Sequence, residues 1–447
     1  MNIVLLSGGS GKRLWPLSND TMSKQFLSLL PTEDGKTESM VQRVYRQIKA
    51  ADPQANIVVS TNQAQKGSLV RQLGQGVDIV VEPERRNTFP AVLLASAYMH
   101  YEKGLGEDDV VIVLPIDVFA NESYFTNLFN MEKELKSGHY NLMLMGAKPT
   151  YPSEKYGYIV PCEYRQGEAM AVKEFKEKPE ISVARQLLKA GALWNCGIFG
   201  FKMSYIMEIL GENLKVDSFA QLLESYEKLA KDSFDYQVVE KEKQIGCIEY
   251  VGKWKDLGTW NTLTEEMERE SVGTDIYISD SCRNTHILNM LDTPIIAMGL
   301  NNVVVVASHD GILVSDKMES SYLKPYADKI TQRPMYEQRI WGEYRVLDYI
   351  TDEEGNATLT KRLHIKKGMQ ISYQYHKIRT EIWTISKGEG ILFIDDERKT
   401  VKRGDVIHIL PQTKHAIQAV SDLEFIEVQI GSGELVEDDI VRLATEW

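Results

Sequence analysis

The sequence predicts an α/β protein whose first part is a doubly wound sheet, followed by a β-rich connector and an all-β C-terminal region. Three observations carry that prediction. From residue 1 to about 265, short β-branched apolar runs alternate with segments of helical period. From about 272 to 330 the helical pattern disappears and short strands with turns take over. Beyond Pro334 strand-length alternations are separated by turns rich in Gly, Asp and Lys. The boundaries read from these changes are 1–270, 271–333 and 334–447.

The first part opens with the strand Ile3-Val4-Leu5-Leu6, followed by Ile57-Val58-Val59, Ile79-Val80-Val81, Val110 to Leu114 and Leu142 to Met145. Each run is nearly all apolar, as a parallel strand covered by helices on both faces requires. The crossovers are amphipathic stretches such as Met40 to Ala50, Pro90 to Tyr101 and Tyr124 to Leu135, each long enough to return across a sheet. In the connector, Thr293 to Met298 and Val303 to Ala307 read as strands of a β-helix-like segment. In the last part, Thr358 to Ile365, Glu381 to Ser386, Gly390 to Ile394 and Leu423 to Gln429 read as strands of a barrel or sandwich.

The 447 residues allow two to four domains at roughly 150 residues each. Hydrophobic residues at 43% and charged residues at 26% exclude a disordered or fibrous chain. No apolar run is long enough for a membrane span, and the start lacks the basic flank of a signal peptide, so the expectation is a cytoplasmic protein with no membrane partner. Cys162, Cys196, Cys247 and Cys282 lie too far apart for a zinc motif and read as reduced, packed side chains. With 51 Lys plus Arg against 64 Asp plus Glu the net charge is −13, which argues against nucleic-acid binding. An anionic ligand would need a local concentration of basic groups. A homo-oligomer is compatible with these numbers.

Such a concentration follows the first strand. Ser7-Gly8-Gly9-Ser10-Gly11-Lys12-Arg13-Leu14 lies where a doubly wound sheet opens its ligand crevice. Its glycines and serines allow a tight turn with backbone N–H groups facing oxyanions, and Lys12, Arg13 and Lys24 add charge, so a polyphosphate fits. The loop is neither a Walker A loop nor a dinucleotide fingerprint. Asp117 ends a central strand, and Asp256 follows a later apolar run; carboxylates so placed suit Mg²⁺ ions bound beside a triphosphate.

Residues Ser7 to Ser18 with Lys24-Gln25-Phe26 resemble the signature of mannose-1-phosphate guanylyltransferases. Collinear matches follow at Glu82-Pro83, Arg86-Asn87-Thr88, Tyr156-Gly157-Tyr158-Ile159, Phe175 with Glu177-Lys178-Pro179, Trp194-Asn195 with Gly197, and Asp235-Tyr236 with Glu240-Lys241. The resemblance covers about the first 265 residues. It implies a Rossmann-like nucleotidyltransferase domain in which mannose 1-phosphate attacks the α-phosphate of GTP, releasing pyrophosphate and giving GDP-mannose. It implies that Arg13 and Lys24 grip the nucleotide phosphates, Lys178 faces the sugar phosphate, and Asp117 and Asp256 carry Mg²⁺. It further assigns Gly8, Gly9 and Gly11 with Arg86, Asn87 and Thr88 to the nucleotide, and Gly157, Glu177 and Asn195 to the sugar. This chain departs from the family's usual residues at Ser23, Ile116, Val118 and Lys155, which neighbour the two pockets. Competing readings are another sugar-1-phosphate nucleotidylyltransferase and a noncatalytic sugar-nucleotide sensor; the retained Arg13, Lys24, Asp117 and Asp256 argue against the sensor.

In the C-terminal region Gly368, Gln374, His376, Glu381 and Gly388 fit the first cupin motif, and Gly404, Pro411 and His415 the second. Gln374, His376, Glu381 and His415 form a nitrogen and oxygen set suited to Zn²⁺, Mn²⁺, Fe²⁺ or a similar ion. The Gln variant, with Trp341-Gly342 and Glu437 to Arg442, resembles the isomerase domain of type II phosphomannose isomerases, often fused to this guanylyltransferase. Those enzymes usually carry histidines where this chain has Lys377, Ile378 and Ile382. The expectation is therefore a bound divalent ion with isomerisation of mannose 6-phosphate weak or absent.

Overall fold

Nine strands form the main sheet: β1 (Asn2–Leu6), β2 (Asn56–Asn62), β3 (Asp78–Glu82), β4 (Val110–Pro115), β5 (Leu142–Ala147), β6 (Tyr158–Pro161), β7 (Ala169–Lys176), β8 (Leu193–Lys202) and β9 (Ile245–Tyr250). Their spatial order is β3-β2-β1-β4-β8-β5-β9-β7-β6. The structure, a computed structural model, describes residues 1–9, 12–19, 22–395, 397–432 and 439–443. Strands β1 to β4 pair in parallel, as their all-apolar composition predicts. The other half of the sheet is mixed. Strand β8 lies antiparallel between β4 and β5, and β7 is antiparallel to both β6 and β9. Sequence periodicity passes over β8 because Gly197 and Gly200 interrupt its apolar run. Gly200 is there for packing: a Cβ at that position would lie 2.9 Å from Leu135 Cδ1.

Helices α1 (Met40–Ala51), α2 (Gln63–Leu73), α3 (Thr88–Tyr101) and α4 (Glu122–Ser137) cover the sheet. Alternate strand residues face opposite layers. Val4, Val58, Val111 and Val113 pack with Phe89, Val92 and Leu93 of α3. Ile3, Leu5, Ile57, Val59, Ile112 and Leu114 pack with Val41, Val44 and Ile48 of α1 and Tyr124, Leu128 and Leu135 of α4. Each such fully buried aliphatic side chain is worth about 1.5–3 kcal/mol. Helix α1 starts at a capping box in which Ser39 and Gln42 exchange side-chain and backbone hydrogen bonds. No helix among the described residues is long and apolar enough to cross a membrane.

The chain makes two compact units. The first comprises Met1–Glu270, Asn302–Val304 and Ser315–Ala327; the second comprises Ser271–Asn301, Val305–Val314 and the chain from Asp328 onward. Within the second unit, Ser271–Gly273 pairs in parallel with His286–Asn289, and Ile276–Ile278 with Ile295–Ala297. Parallel pairing with no intervening helix gives a coil of β-helix type. Asn289 closes it from inside, donating from Nδ2 to the carbonyls of Thr274 and Thr293, both at 2.9 Å.

The rest of the second unit is a barrel of strands β10 (Tyr336–Arg339), β11 (Gly342–Thr351), β12 (Asn356–Ile365), β13 (Gln374–His376), β14 (Thr380–Lys387), β15 (Glu389–Ile394), β16 (Glu397–Lys402), β17 (Val406–Ile409), β18 (His415–Ala419), β19 (Leu423–Ser432) and β20 (Ile440–Arg442). They form one sheet in the order β10-β11-β12-β19-β14-β17 and a second in the order β16-β15-β18-β13-β20. Inward residues Leu363, Ile365, Trp383, Ile385, Leu392, Ile417 and Phe425 fill the core. Of the stretch matched near the C-terminus, Glu437 and Asp438 lie outside the described residues.

Candidate active site

Asp117 and Asp256 meet through a two-stranded antiparallel ribbon of Val118–Ala120 with Trp254–Asp256. The ribbon continues in a hydrogen bond from the Leu257 N–H to the Asp117 carbonyl at 2.9 Å. It lies beyond the carboxyl end of β4, where an open α/β sheet holds its ligands. Lys24 lies between the two carboxylates, with Nζ 2.5 Å from Asp117 Oδ2 and 4.0 Å from Asp256 Oδ1. Its position is set by its neighbour: Gln25 is buried and donates to the Ser7 carbonyl at 3.1 Å and to Gln65 Oε1 at 3.1 Å. Arg13 approaches the same point. A Cβ on Gly258 would lie 2.8 Å from Asp256 Oδ1, 3.2 Å from Lys24 Nζ and 3.3 Å from Arg13 Nη1. Gly258, which sequence reasoning missed, thus leaves room for three charged groups to converge.

Burial alone would raise the Asp117 carboxyl, but the Lys24 charge and hydrogen bond, with Arg13, hold it below the usual carboxylate range. Burial raises Asp256 further than Lys24 lowers it, and the Asp117 charge adds to that rise. The two side chains nonetheless keep 31% and 34% of their surface open to the crevice. Asp256 Oδ1 has no hydrogen-bond partner among the described residues. An orphaned carboxylate oxygen beside a second carboxylate is a donor set that fits a hard divalent cation.

The loop after β1 is anchored by the carbonyls of Ser7 and Gly9. Ser7 donates its N–H to the Ser60 carbonyl, and its own carbonyl accepts from Thr61 Oγ1 at 3.2 Å. The Gly9 carbonyl accepts from Ser23 Oγ at 3.0 Å and Gln65 Nε2 at 3.1 Å. Gly11 lies outside the described residues. Arg86, Asn87 and Thr88 tie the start of α3 to another segment. Arg86 donates twice to the Leu229 carbonyl and pairs with Glu84; Asn87 caps α3 at φ +75°; Thr88 Oγ1 accepts from the Phe234 N–H at 2.9 Å.

Glu82, at the end of β3, had no predicted role. It is buried, accepts from the Tyr226 hydroxyl at 3.0 Å, and sets Oε1 3.1 Å from where a Gly8 Cβ would be. Burial pushes its carboxyl up to about 7, against the Tyr226 hydrogen bond and the Arg85 charge.

A second cluster gathers around Gly157. A Cβ there would lie 2.5 Å from Glu177 Oε2, 3.0 Å from Phe175 Cζ and 3.3 Å from Asn195 Cβ, so only glycine admits Glu177 and Asn195. Lys178 pairs with Glu177 and holds φ +43°, a left-handed conformation uncommon outside glycine. Burial works against the Lys178 charge, yet Glu177 keeps it above the usual lysine range, with help from Asp235. Asp235 is the other residue without an assigned role: Asn195 Nδ2 donates to its Oδ1 at 3.0 Å, and burial with the Glu177 charge pushes it up to about 7. Tyr156, Trp194 and Trp254 stack between the clusters, with Tyr156 ring centroids 4.7 and 5.6 Å from the two indoles. Tyr156 and Trp194 adjoin Gly157 and Asn195 in sequence, and Trp254 lies two residues before Asp256, so one wall carries both clusters.

In the barrel His376, Glu381 and His415 bring one ligand atom each within 4.8 Å of one another, all buried. His376 Nε2 is 3.0 Å and His415 Nε2 3.6 Å from the Glu381 carboxylate. His415 Nδ1 is bound to the Thr413 carbonyl at 2.9 Å, and its Nε2 has no hydrogen-bond partner among the described residues. Burial keeps His415 below the usual histidine range despite Glu381, which favours a neutral, ligating ring. Gln374 pairs in register with His415, its Oε1 accepting from Ser372 Oγ at 2.8 Å. The three-residue set fits a divalent metal ion. Arg379 shares the space, with Nε 3.0 Å from Glu381 Oε1 and Nη2 3.5 Å from His376 Nε2. Burial would raise Glu381, but the His376 hydrogen bond, the two histidines and Arg379 bring it down to about 2.

A doubly wound sheet with a glycine-rich turn after its first strand and two carboxylates at its crevice is the layout of a nucleotidyltransferase. The Nucleotidyl transferase family model matches residues 2–271, and that of the Mannose-6-phosphate isomerase C-terminal family matches residues 327–445. The chain belongs to the nucleotidyl transferase family, among the mannose-1-phosphate guanylyltransferases that carry a mannose-6-phosphate isomerase C-terminal domain. Mannose-1-phosphate guanylyltransferase RfbM of Salmonella typhimurium is 30% identical over 98% of this chain and 96% of the relative. Xanthan biosynthesis protein XanB of Xanthomonas campestris pv. campestris is 32% identical over 98% and 97%. Among solved structures, one described as a mannose-1-phosphate geranyltransferase from Thermus thermophilus superposes with a TM-score of 0.61 at 25% identity, over 74% of this chain and 99% of that one. The protein is an enzyme of nucleotidyl transfer.

Proposed function

We propose that the enzyme transfers a guanylyl group from GTP to α-D-mannose 1-phosphate, giving GDP-mannose and pyrophosphate. A phosphate oxygen of mannose 1-phosphate forms a bond to the α-phosphorus as the bond to the bridging oxygen of the β-phosphate breaks, and pyrophosphate leaves with that electron pair. The observation that carries the reading is the convergence of Lys24, Arg13, Asp117 and Asp256 at one end of the aromatic wall that holds Lys178, Glu177 and Asn195 at the other. Such a reaction asks mainly for positioning two anions and offsetting their repulsion. Lys24 and Arg13 grip the nucleotide phosphates against Gly8 and Gly9, and Lys178 receives the sugar phosphate. Glu177 and Asn195 supply an acceptor and an amide for sugar hydroxyls, with Gly157 making room. Arg86, Asn87 and Thr88 act by fixing the edge of the nucleotide pocket.

Glu82 supports guanine. Above about pH 7, where it is ionised, it offers acceptor positions beyond the one taken by Tyr226 to the adjacent N–H groups at guanine N1 and N2, whereas uracil and thymine present one N–H between two carbonyls. Asp117 and Asp256 would hold Mg²⁺, which supplies neutralisation of the triphosphate when bound. The test is pyrophosphate release with GTP and mannose 1-phosphate, and its loss on changing Lys24.

In the barrel, His376, Glu381 and His415, with Gln374 beside them, would hold a second divalent ion. Isomerisation of mannose 6-phosphate additionally needs a proton shuttle, and Lys377, Ile378 and Ile382 are poor replacements for histidine. A metal-binding barrel with weak isomerisation is the reading these residues favour.

A further inference from the structure

Residues Asp235–Val239 form a π-helical turn, closed by the Glu240 N–H donating to the Asp235 carbonyl at 2.9 Å. Turns of this width are rare and recur at functional sites. This one is docked on the Gly157 cluster at both ends. At its start Asp235 Oδ1 accepts from Asn195 Nδ2 at 3.0 Å. Just past its end Glu240 Oε1 accepts from the Glu177 N–H at 3.1 Å and lies 3.6 Å from Lys176 Nζ.

Asn195 is thereby held at both ends of its amide. Oδ1 accepts from the Gly197 N–H at 3.1 Å, so Nδ2 faces Asp235, and the amide retains one N–H and one lone pair for a ligand. A neutral residue could accept that single bond. Asp235 accepts it while half-buried beside the buried Glu177 carboxyl, whose charge disfavours its own, a juxtaposition that stability alone does not favour. The cost is understandable where orientation matters more than stability.

We propose that Asp235 is a positioning residue of the sugar subsite, fixing the Asn195 amide so that its free N–H and lone pair face a hydroxyl of the hexose 1-phosphate. The inference rests on the reading of Glu177, Lys178 and Asn195 as the sugar side. It separates Asp235 from the carboxylates that face the nucleotide phosphates, and it makes the π-helical turn part of substrate recognition.

The test combines steady-state kinetics of Asp235→Ala, Asp235→Asn, Asn195→Ala and the Asp235→Ala/Asn195→Ala double variant with a crystal structure of Asp235→Ala. Asp235→Ala is expected to raise KM for mannose 1-phosphate about tenfold while leaving KM for GTP within about twofold. Asp235→Asn, which keeps an oxygen acceptor, should recover most of the loss. The double variant should be no worse than Asn195→Ala, because Asp235 acts through Asn195. In the crystal the Asn195 side chain should leave its orientation. Additive losses, equal rises in both KM values, or an unmoved Asn195 would each overturn the proposal. The crystallographic arm needs no substrate, so absence of turnover in the wild type would refute the sugar-side reading while the Asn195 orientation still decides the role of Asp235.

Discussion

Asp117 and Asp256, far apart in the sequence, are joined by the hydrogen bond from the Leu257 N–H to the Asp117 carbonyl and share Lys24 as a common counter-charge. The lysine is not symmetric between them. It is bonded to Asp117 and stands 4.0 Å from Asp256, whose Oδ1 remains without a hydrogen bond among the described residues. Asp117→Asn and Asp256→Asn should each lower kcat by about a hundredfold or more, equivalent to ~2.7 kcal/mol of transition-state stabilisation. Circular dichroism of both variants should match wild type, since neither side chain belongs to the core. Lys24→Ala should lose a similar factor. Near wild-type turnover of both Asp variants at saturating Mg²⁺ would remove the metal-site assignment.

Glu82 gives a prediction in two parts. Its carboxyl is raised in the folded state to about 7 from an ordinary 4.5, so the folded protein holds a proton there that the unfolded chain releases earlier. The stability tied to that proton is present below about pH 4.5 and is lost as pH rises through 7. Glu82→Gln escapes the loss, so its melting temperature relative to wild type should climb between pH 5 and pH 8. The same change should cut the preference for GTP over UTP by about tenfold. A pH-independent difference in melting temperature would contradict the account of burial, and unchanged base preference would contradict the role.

Gly157→Ala tests the close approach of Phe175 and of Glu177 and Asn195, which the proposal places on the sugar side. The added Cβ falls 2.5 Å from Glu177 Oε2, the movable end of a side chain, so Glu177 must swing aside. KM for mannose 1-phosphate should rise about tenfold, and the melting temperature should fall, since Phe175 Cζ at 3.0 Å and Asn195 Cβ at 3.3 Å must also give. Gly9→Ala is the comparison for stability, because a Cβ there meets nothing within 4 Å. Unaltered kinetics in Gly157→Ala would show that Glu177 does not touch the sugar.

For the barrel, the purified protein should contain one tightly held divalent ion beyond any Mg²⁺. His376→Ala and His415→Ala should each lower its affinity by at least about tenfold, read by elemental analysis after dialysis. A coupled assay for fructose 6-phosphate from mannose 6-phosphate should show little or no activity. A barrel free of metal would contradict the ligand set, and vigorous isomerisation would show that Lys377, Ile378 and Ile382 do not impair proton transfer.

Much of the fold was legible because burial writes itself into composition. Strands β1 to β5 were visible as apolar runs, since helices cover both of their faces. Strand β8 was not, because Gly197 and Gly200 look like breakers in a sequence and become packing solutions only when β8 is seen against Pro115 and Leu135. The convergence of Asp117 with Asp256 followed the rule that open sheets bind ligands at the carboxyl ends of their strands. Glu82 and Asp235 carried no comparable signal. Each was part of a recognisable motif, but a single carboxylate after a strand or in a turn reads as a cap until its burial and its partners, Tyr226 and Asn195, are known. In the barrel, the motif spacing announced that His376, Glu381 and His415 would gather, whereas the intrusion of the Arg379 guanidinium beside His376 and Glu381 is a fact of geometry alone.

The most direct test of the central claim is pyrophosphate release by the wild-type protein across a panel of nucleoside triphosphates and hexose 1-phosphates. The account predicts the highest kcat/KM for GTP with mannose 1-phosphate. A clear preference for CTP, UTP or dTTP, or for another hexose 1-phosphate, would contradict it.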